Sequence, residues 1–342
     1  MSFWKKLQHP ILVLAPMADV TDPAFRRIIA TYGKPDVMWT EFVSADGLFM
    51  GGYDSLIKDL AYSESERPIV AQFFTSRPDM MERAAQLAVE LGFDGIDINM
   101  GCPDKSVEKQ GAGAGLIKNP PLAVELIKAA QRGIEEYKNR KIEKLREENT
   151  SEKEIKEWQE KEIPVSVKTR IGYNKNELET WLPILLSAEP AAITVHARTR
   201  KEMSLVPARW EHIKRAVEIR DELKSKTLIL GNGDVTDIEH GKRLCAETGA
   251  DGAMLGRAIF GNPWLFASDR KSRTPEERLL VLVEHTKAFE ELCAYKNFSV
   301  MKKHFKAYVN GWDGAKELRV RLMECNNAGE VEGVIREYLS SL

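Results

Sequence analysis

Cysteine, long apolar runs and an excess of either charge are all scarce in this chain of 342 residues. The four cysteines, Cys102, Cys245, Cys293 and Cys325, stand far apart. That spacing excludes a disulfide scaffold and a paired-cysteine zinc site. It suits a reducing cytosol, so a cytoplasmic protein without a bound metal is expected. No run of about 18 apolar residues occurs, which excludes a transmembrane helix and a membrane partner of that kind. The apolar stretch near the N-terminus is bracketed by Pro10 and Pro16 and followed at once by Asp19, which is not a secretory pattern. Lys and Arg number 50 against 52 Asp and Glu, a formal net charge of -2. So balanced a chain does not hold nucleic acid by bulk positive charge, although a local basic patch stays open to it.

What is present is a recurring pattern. Short apolar runs at 11–15, 37–40, 69–73, 95–98, 165–168, 192–195, 228–230 and 253–255 each end in polar or glycine-containing punctuation. Runs of this length between turn signals read as buried parallel strands. Helical patterns lie between most of them, at 22–32, 78–91, 121–132, 210–223 and 238–248. Asp22 stands as an N-cap with Pro23 at the first helical position. Eight strand–helix repeats predict an α/β protein, a closed (β/α)₈ TIM barrel, with an open doubly wound sheet as the structural alternative. A barrel takes about 250 residues, so an appendage is left over. Two segments break the alternation. Residues 133–162 are long and charged, and Ser151-Glu152-Lys153-Glu154 has the form of a capping box, which predicts a protruding helical hairpin. Residues 275–342 carry no strand signal and predict a small C-terminal all-helical domain. The expected division is a barrel over 1–262 with the insertion at about 133–162, then the helical domain over 275–342.

Barrel active sites form at the C-terminal ends of the strands, so the residues directly after each run are the candidates. They are Pro16, Met17, Ala18 and Asp19 after the first, Gln72 at the end of the third, and Asn99-Met100-Gly101-Cys102-Pro103 after the fourth. Lys168-Thr169-Arg170 ends the fifth, and His196-Ala197-Arg198-Thr199-Arg200 the sixth. Gly231-Asn232-Gly233-Asp234 ends the seventh and Gly256-Arg257 the eighth. The last two groups occupy the usual phosphate position of barrels, where backbone N–H groups and a cation meet an anion. Lys168 would be a costly interior charge without an anionic partner, which a reduced flavin or a Schiff base would explain. Gln72 suits a flat cofactor with amide edges. Cys102 lies in a loop whose glycine and proline fix the backbone, whereas the other three cysteines read as structural.

Taken together these residues resemble the tRNA-dihydrouridine synthases. The resemblance is carried by Ala15-Pro16-Met17-Ala18 with Asp22-Pro23-Ala24-Phe25-Arg26, by Asp97-Ile98-Asn99-Met100-Gly101-Cys102-Pro103, and by Val167-Lys168-Thr169-Arg170. His196-Ala197-Arg198-Thr199-Arg200, Asn232-Gly233-Asp234, Gly256-Arg257-Ala258 and Lys303-His304-Phe305 continue it over essentially the whole chain. Two departures stand out: the insertion at 133–162 is longer than the family pattern, and residues 201–209 lack its Tyr-x-Gly segment. The resemblance implies FMN as prosthetic group and NADPH as reductant. It places Pro16, Met17, Ala18, Gln72, Lys168, His196, Asn232, Gly233, Asp234, Gly256 and Arg257 around the FMN. It implies hydride transfer to uracil C6 and a proton delivered to C5 by Cys102 as the neutral thiol. Asn99, Arg170, Arg198 and Arg200 are then the expected substrate contacts.

The implied partner is tRNA, whose target uridine must leave its stack. Between 296 and 321 seven basic residues, Lys296, Lys302, Lys303, Lys306, Lys316, Arg319 and Arg321, face only Asp313 and Glu317. Such a window matches phosphate contacts that position RNA without reading sequence, with Lys302, Lys303 and Lys306 as the central contacts. A monomer is expected. The competing readings are another FMN barrel acting on a free pyrimidine or an enone, and an RNA-binding or chaperone protein that would survive loss of Cys102.

Overall fold

Each of the eight apolar runs forms a strand in the structure, a computed structural model that describes residues 2–269 and 271–341. The strands are β1 Ile11–Leu14, β2 Met38–Ser44, β3 Ile69–Phe74, β4 Gly95–Met100, β5 Val165–Arg170, β6 Ala192–His196, β7 Leu228–Asn232 and β8 Gly252–Leu255. All pairings are parallel. β2 to β8 follow one another in space, and β8 returns to β1. Val13 bridges Val37 just before β2, which closes the sheet into a barrel rather than the open alternative.

The connecting helices form for the reasons the sequence offers. The Asp22 carboxylate accepts the Phe25 N–H at 2.9 Å and Pro23 sits in the first turn of Pro23–Tyr32. Pro78–Glu90, Glu211–Glu222 and Ile238–Thr248 lie where they were expected. Leu178–Leu186 between β5 and β6 carries Pro183 inside it, a residue that normally breaks a helical pattern.

In the insertion the first helix begins well before residue 133. No break occurs at Gly133, because one helix runs from Pro120 to Glu147. Gly133 is a crossing point: a Cβ there would lie 2.3 Å from the Glu82 carbonyl oxygen of the neighbouring helix. Glycine thus permits the close approach of two helices and does not signal an end. The hairpin is the outer half of this long helix plus Glu152–Glu160, whose N-cap Ser151 accepts the Glu154 N–H. Ile134 is buried at its root, and Tyr137 meets Trp158 with ring centroids 6.2 Å apart.

Alternation along the strands sorts the interior into two zones. Toward the strand N-termini the barrel is apolar, with Trp4, Ile11, Val13, Trp39, Val70 and Leu230 packed together. Toward the C-termini it becomes polar. The register sets Gln72 opposite Asp97, Asn99 opposite Lys168, and His196 opposite both Arg170 and Asn232. Outside the strands one apolar cluster continues without interruption into the C-terminal helices. Those are Pro275–Leu292, Lys302–Tyr308, Ala315–Glu324 and Ala328–Ser340. They dock on Pro23–Tyr32. Phe25 stacks on His285 at 4.8 Å and meets His304 edge-on at 4.9 Å. Burial holds both imidazoles neutral, that of His285 down to about 3. Among the described residues no helix is long and apolar enough to cross a membrane.

Candidate active site

A cavity of about 280 Å³ opens at the C-terminal end of the barrel. Its lining includes Pro16, Met17, Lys168, Arg170, His196, Arg198, Asn232, Gly233, Asp234, Gly256 and Arg257. Ala18 and Gln72 are not part of it: Ala18 is exposed and Gln72 is fully buried. A larger cavity of about 610 Å³ lies at the opposite end, against Trp4, Ile134, Val165 and Leu228. None of the expected site residues lines it. Most of the expected cofactor residues therefore collect in the smaller opening, where the strand ends turn polar, while Cys102, Asn99 and Arg200 lie outside its lining.

Lys168 is the central charge. β5 points it into the cavity, where it is half-buried, and among the described residues no ion pair reaches its ammonium. Burial, aided by the Arg170 guanidinium, pulls its pKa down to about 8 against the opposing pull of Asp97 and Cys102. Arg170 is likewise buried and brought down to about 10. Its Nε donates to the Gly101 carbonyl at 2.8 Å, and its Nη1 to the Thr199 and Met203 carbonyls at 3.1 and 3.2 Å. It ties the loop after β4 to the loop after β6. His196 is held neutral by burial and by Lys168, Arg170, Arg198 and Arg257 around it. Its Nε2 lies 3.1 Å from Arg198 Nη1.

The turn after β7 is organised around Asp234. Its carboxylate accepts from Arg198, from the Ala208 N–H at 2.8 Å and from Arg257 at 2.5 Å. Gly233 has φ +124°, and a Cβ there would come within 2.7 Å of the Ala208 Cβ. Asn232 donates to the Met254 carbonyl at 2.8 Å and locks β7 to β8. Arg257 keeps its side chain 68% exposed, so it can turn toward a bound anion.

Cys102 follows β4 and is partly buried, which pushes its thiol pKa up, while Lys168 and Arg170 are near enough to pull the other way. Asn99 is committed to holding this loop. Its Oδ1 accepts the Gly101 and Cys102 N–H groups at 3.1 and 2.9 Å, and its Nδ2 donates to Gln72 at 3.1 Å. Arg200 forms a two-pronged pair with Glu108 beyond the cysteine, so its guanidinium closes the loop rather than facing the cavity. Cys245, Cys293 and Cys325 are buried.

The basic window of the tail divides on folding. Lys296 does not face outward: Glu41, Asp59 and Asp19 surround it at 2.7, 3.2 and 3.6 Å. Arg321 pairs with Glu337, and Arg319 donates to the Val309 carbonyl. Lys302, Lys303 and Lys306 remain on one short helix, Lys306 exposed and Lys303 half-buried near Asp19, Asp22 and Glu41. Sequence reasoning assigned no role to Asp97, Glu108 or Glu41. The first was recoverable, since Asp97 and Asn99 stand two apart on one strand and must share a face.

Comparison with known proteins follows the same lines. The family model described as dihydrouridine synthase matches residues 13–341. A probable tRNA-dihydrouridine synthase 2 of Bacillus subtilis (strain 168) is 37% identical over 349 aligned positions, covering 100% of this chain and 99% of the relative. A probable tRNA-dihydrouridine synthase of Staphylococcus aureus (strain COL) is 36% identical over 341 positions, 98% of this chain and 95% of the relative. Among solved structures, 2-naphthoyl-CoA reductase with 2-naphthoyl-CoA superposes with a TM-score of 0.52 at 10% identity. That match covers 78% of this chain and 50% of the larger protein, and it speaks to the barrel fold alone.

Proposed function

The chain belongs to the dihydrouridine synthase family, and on that premise we propose that it is a flavin-dependent oxidoreductase reducing the C5–C6 double bond of tRNA uridines to 5,6-dihydrouridine. We take FMN as the flavin and NADPH as its reductant. The observation that carries the reading is Lys168, an inward ammonium with no ion pair among the described residues, facing a cavity of the barrel rim. Gly233 adds support, because only a residue without a Cβ can hold φ +124° and pass this close to Ala208 and His196, which keeps the turn after β7 on the cavity wall with Arg257 at hand. Pro16, Met17, His196, Asn232, Asp234 and Gly256 complete the expected FMN surroundings. When bound, FMN supplies the hydride for uracil C6.

The rest of the chemistry falls to the chain's own side chains. Cys102 gives the proton to C5, and burial suits it by keeping the thiol protonated at neutral pH. Lys168 and Arg170 then stabilise the thiolate that remains. His196, neutral, bonds with Arg198 without adding charge. We assign residues 1–262 to the flavin barrel and 275–342 to RNA contact, in a monomer of a reducing, cytoplasmic compartment.

The test is nucleoside mass spectrometry of unmodified tRNA treated with the purified protein and NADPH. Dihydrouridine should form on tRNA and not on free uridine. Cys102→Ala should stay yellow, bleach with NADPH and make dihydrouridine about 10²–10⁴ times more slowly. A colourless wild-type protein that takes up no FMN, or a fully active Cys102→Ala, overturns the reading.

A further inference from the structure

Beneath the cavity runs a line of buried polar groups that the chemistry above does not use. Ser166 Oγ donates to Asp97 Oδ1 at 2.5 Å, and Gln72 Nε2 donates to Asp97 Oδ2 at 2.6 Å. Gln72 Oε1 accepts from Asn99 Nδ2 at 3.1 Å, and Asn99 Oδ1 accepts the Gly101 and Cys102 N–H groups. Asp97 and Gln72 are 1% and 0% exposed, Asn99 6%. Water is thus excluded from setting the direction of these bonds.

We propose that Asp97 is a positioning residue for Cys102, acting by fixing which way round two buried amides face. A carboxylate can only accept, so Gln72 must turn its NH₂ toward Asp97. Its carbonyl oxygen then faces Asn99, which must answer with its own NH₂. Only in that sense does the Asn99 oxygen reach the Gly101 and Cys102 N–H groups. With a neutral amide in place of Asp97, both links could reverse together. The Asn99 NH₂ would then oppose two N–H donors, and the loop carrying Cys102 would lose its anchor. The groups facing Asp97 are Gln72 from β3, Ser166 and Lys168 from β5, and the Trp39 indole from β2. Lys168 is the charged one among them. Burial raises the Asp97 pKa to about 6 against the pull of these neighbours, so the carboxylate is the prevailing form at neutral pH.

This inference rests on Cys102 as the proton donor, and its test separates the two ideas. Holoenzyme is reduced with NADPH, freed of excess nucleotide without oxygen, and mixed with unmodified tRNA while flavin absorbance is followed. Wild-type enzyme that tRNA does not reoxidise overturns the functional reading and this inference with it. Asp97→Asn should keep its FMN and its NADPH-driven bleaching within about threefold, yet reoxidise at least about tenfold more slowly. Asp97→Asn combined with Gln72→Glu moves the carboxylate one step along the line and re-imposes its direction. That pair should recover to within about threefold of wild type, which a merely structural loss would not do. A normal rate in Asp97→Asn, or a double variant no faster than the single, overturns the proposal. Should Asp97→Asn lose its flavin, Ser166→Ala decides instead. Removing that hydrogen bond raises the Asp97 pKa, so the acid limb of the reoxidation rate, expected near pH 6, should move to higher pH. An unmoved limb overturns the proposal.

Discussion

Lys168 at the barrel rim and Lys296 at the junction with the tail are both enclosed by protein, and the fold treats them in opposite ways. At the junction, burial works against the charge, but Glu41, Asp59 and Asp19 outweigh it and lift the Lys296 pKa above its ordinary value. At the rim, burial and Arg170 act together, and the Lys168 pKa falls to about 8. One lysine is satisfied within the chain; the other is left for something that arrives. A charge drawn in from water without a close counter-ion is expensive for a fold to carry. Its presence at the rim is therefore a statement about a ligand, and the same residue type at the junction is a statement about assembly.

The largest effect should come from breaking this contrast directly in FMN-free protein. Lys296→Met strands Glu41 as a buried carboxylate and should cost about 3–5 kcal/mol of stability in denaturant melts. Lys168→Met removes a strained cation and should stabilise the apo protein by up to about 3 kcal/mol at pH 7, while FMN retention is lost. The sign follows from linkage. The folded-state pKa of Lys168 lies below that of the unfolded chain, so its penalty is fully present below pH 8. It is relieved as pH rises from about 8 toward 10.5, because the unfolded chain then holds the extra proton. The gain from Lys168→Met should shrink over that window. Equal destabilisation by both variants would erase the distinction between the two lysines.

Arg257→Ala sharpens the comparison at the rim itself. Asp234 keeps Arg198 and the Ala208 N–H when Arg257 is gone, so stability should stay within about 0.5 kcal/mol. FMN should dissociate about tenfold more readily, by about 1.5 kcal/mol, the lower end for a charge-assisted bond from so exposed a side chain. Equilibrium titration against free FMN measures it. A retained affinity would give the anion to the backbone turn alone.

Much of the fold and the site is legible in the sequence because the signals are local. All eight strands and the Asp22 cap follow from short-range patterning, and the barrel rule then collects the strand-end residues at one rim. What stays hidden depends on partners far away along the chain. Lys296 reads as part of a basic run until Glu41, 255 positions earlier, folds against it. Residue 133 reads as the start of an insertion until Glu82 shows Gly133 to be a helix crossing. Gln72 reads as an amide toward a flat cofactor, and only the fold shows that Asp97 and Asn99 also hold both ends of it. Docking of the tail through His285 and His304 on Phe25 carries no periodic signature.

The smallest effects, and the finest test of paired against unpaired charge, lie in the tail. If RNA lies across the helix Lys302–Tyr308, each phosphate deprived of its cation should lower the slope of log affinity against log salt by about 0.7–0.9. Lys306 is exposed and should show the full change as Lys306→Ala. Lys303 shares its charge with Asp19, Asp22 and Glu41, and burial already lowers its pKa, so Lys303→Ala should show less. Arg321→Ala should leave the slope nearly unchanged, because Glu337 holds that guanidinium before any RNA arrives. FMN content should be unaltered in all three, since none of them lines the rim cavity. The order Lys306, Lys303, Arg321 is thus set by what each cation already touches and not by its place in a basic run. Filter binding of tRNA at several salt concentrations reads it. Identical slopes in all variants would mean that the helix faces solvent and would favour a small free pyrimidine as substrate. A large change at Arg321 would mean that its pair with Glu337 opens on RNA binding, and that pairing in the free protein does not mark a charge as structural.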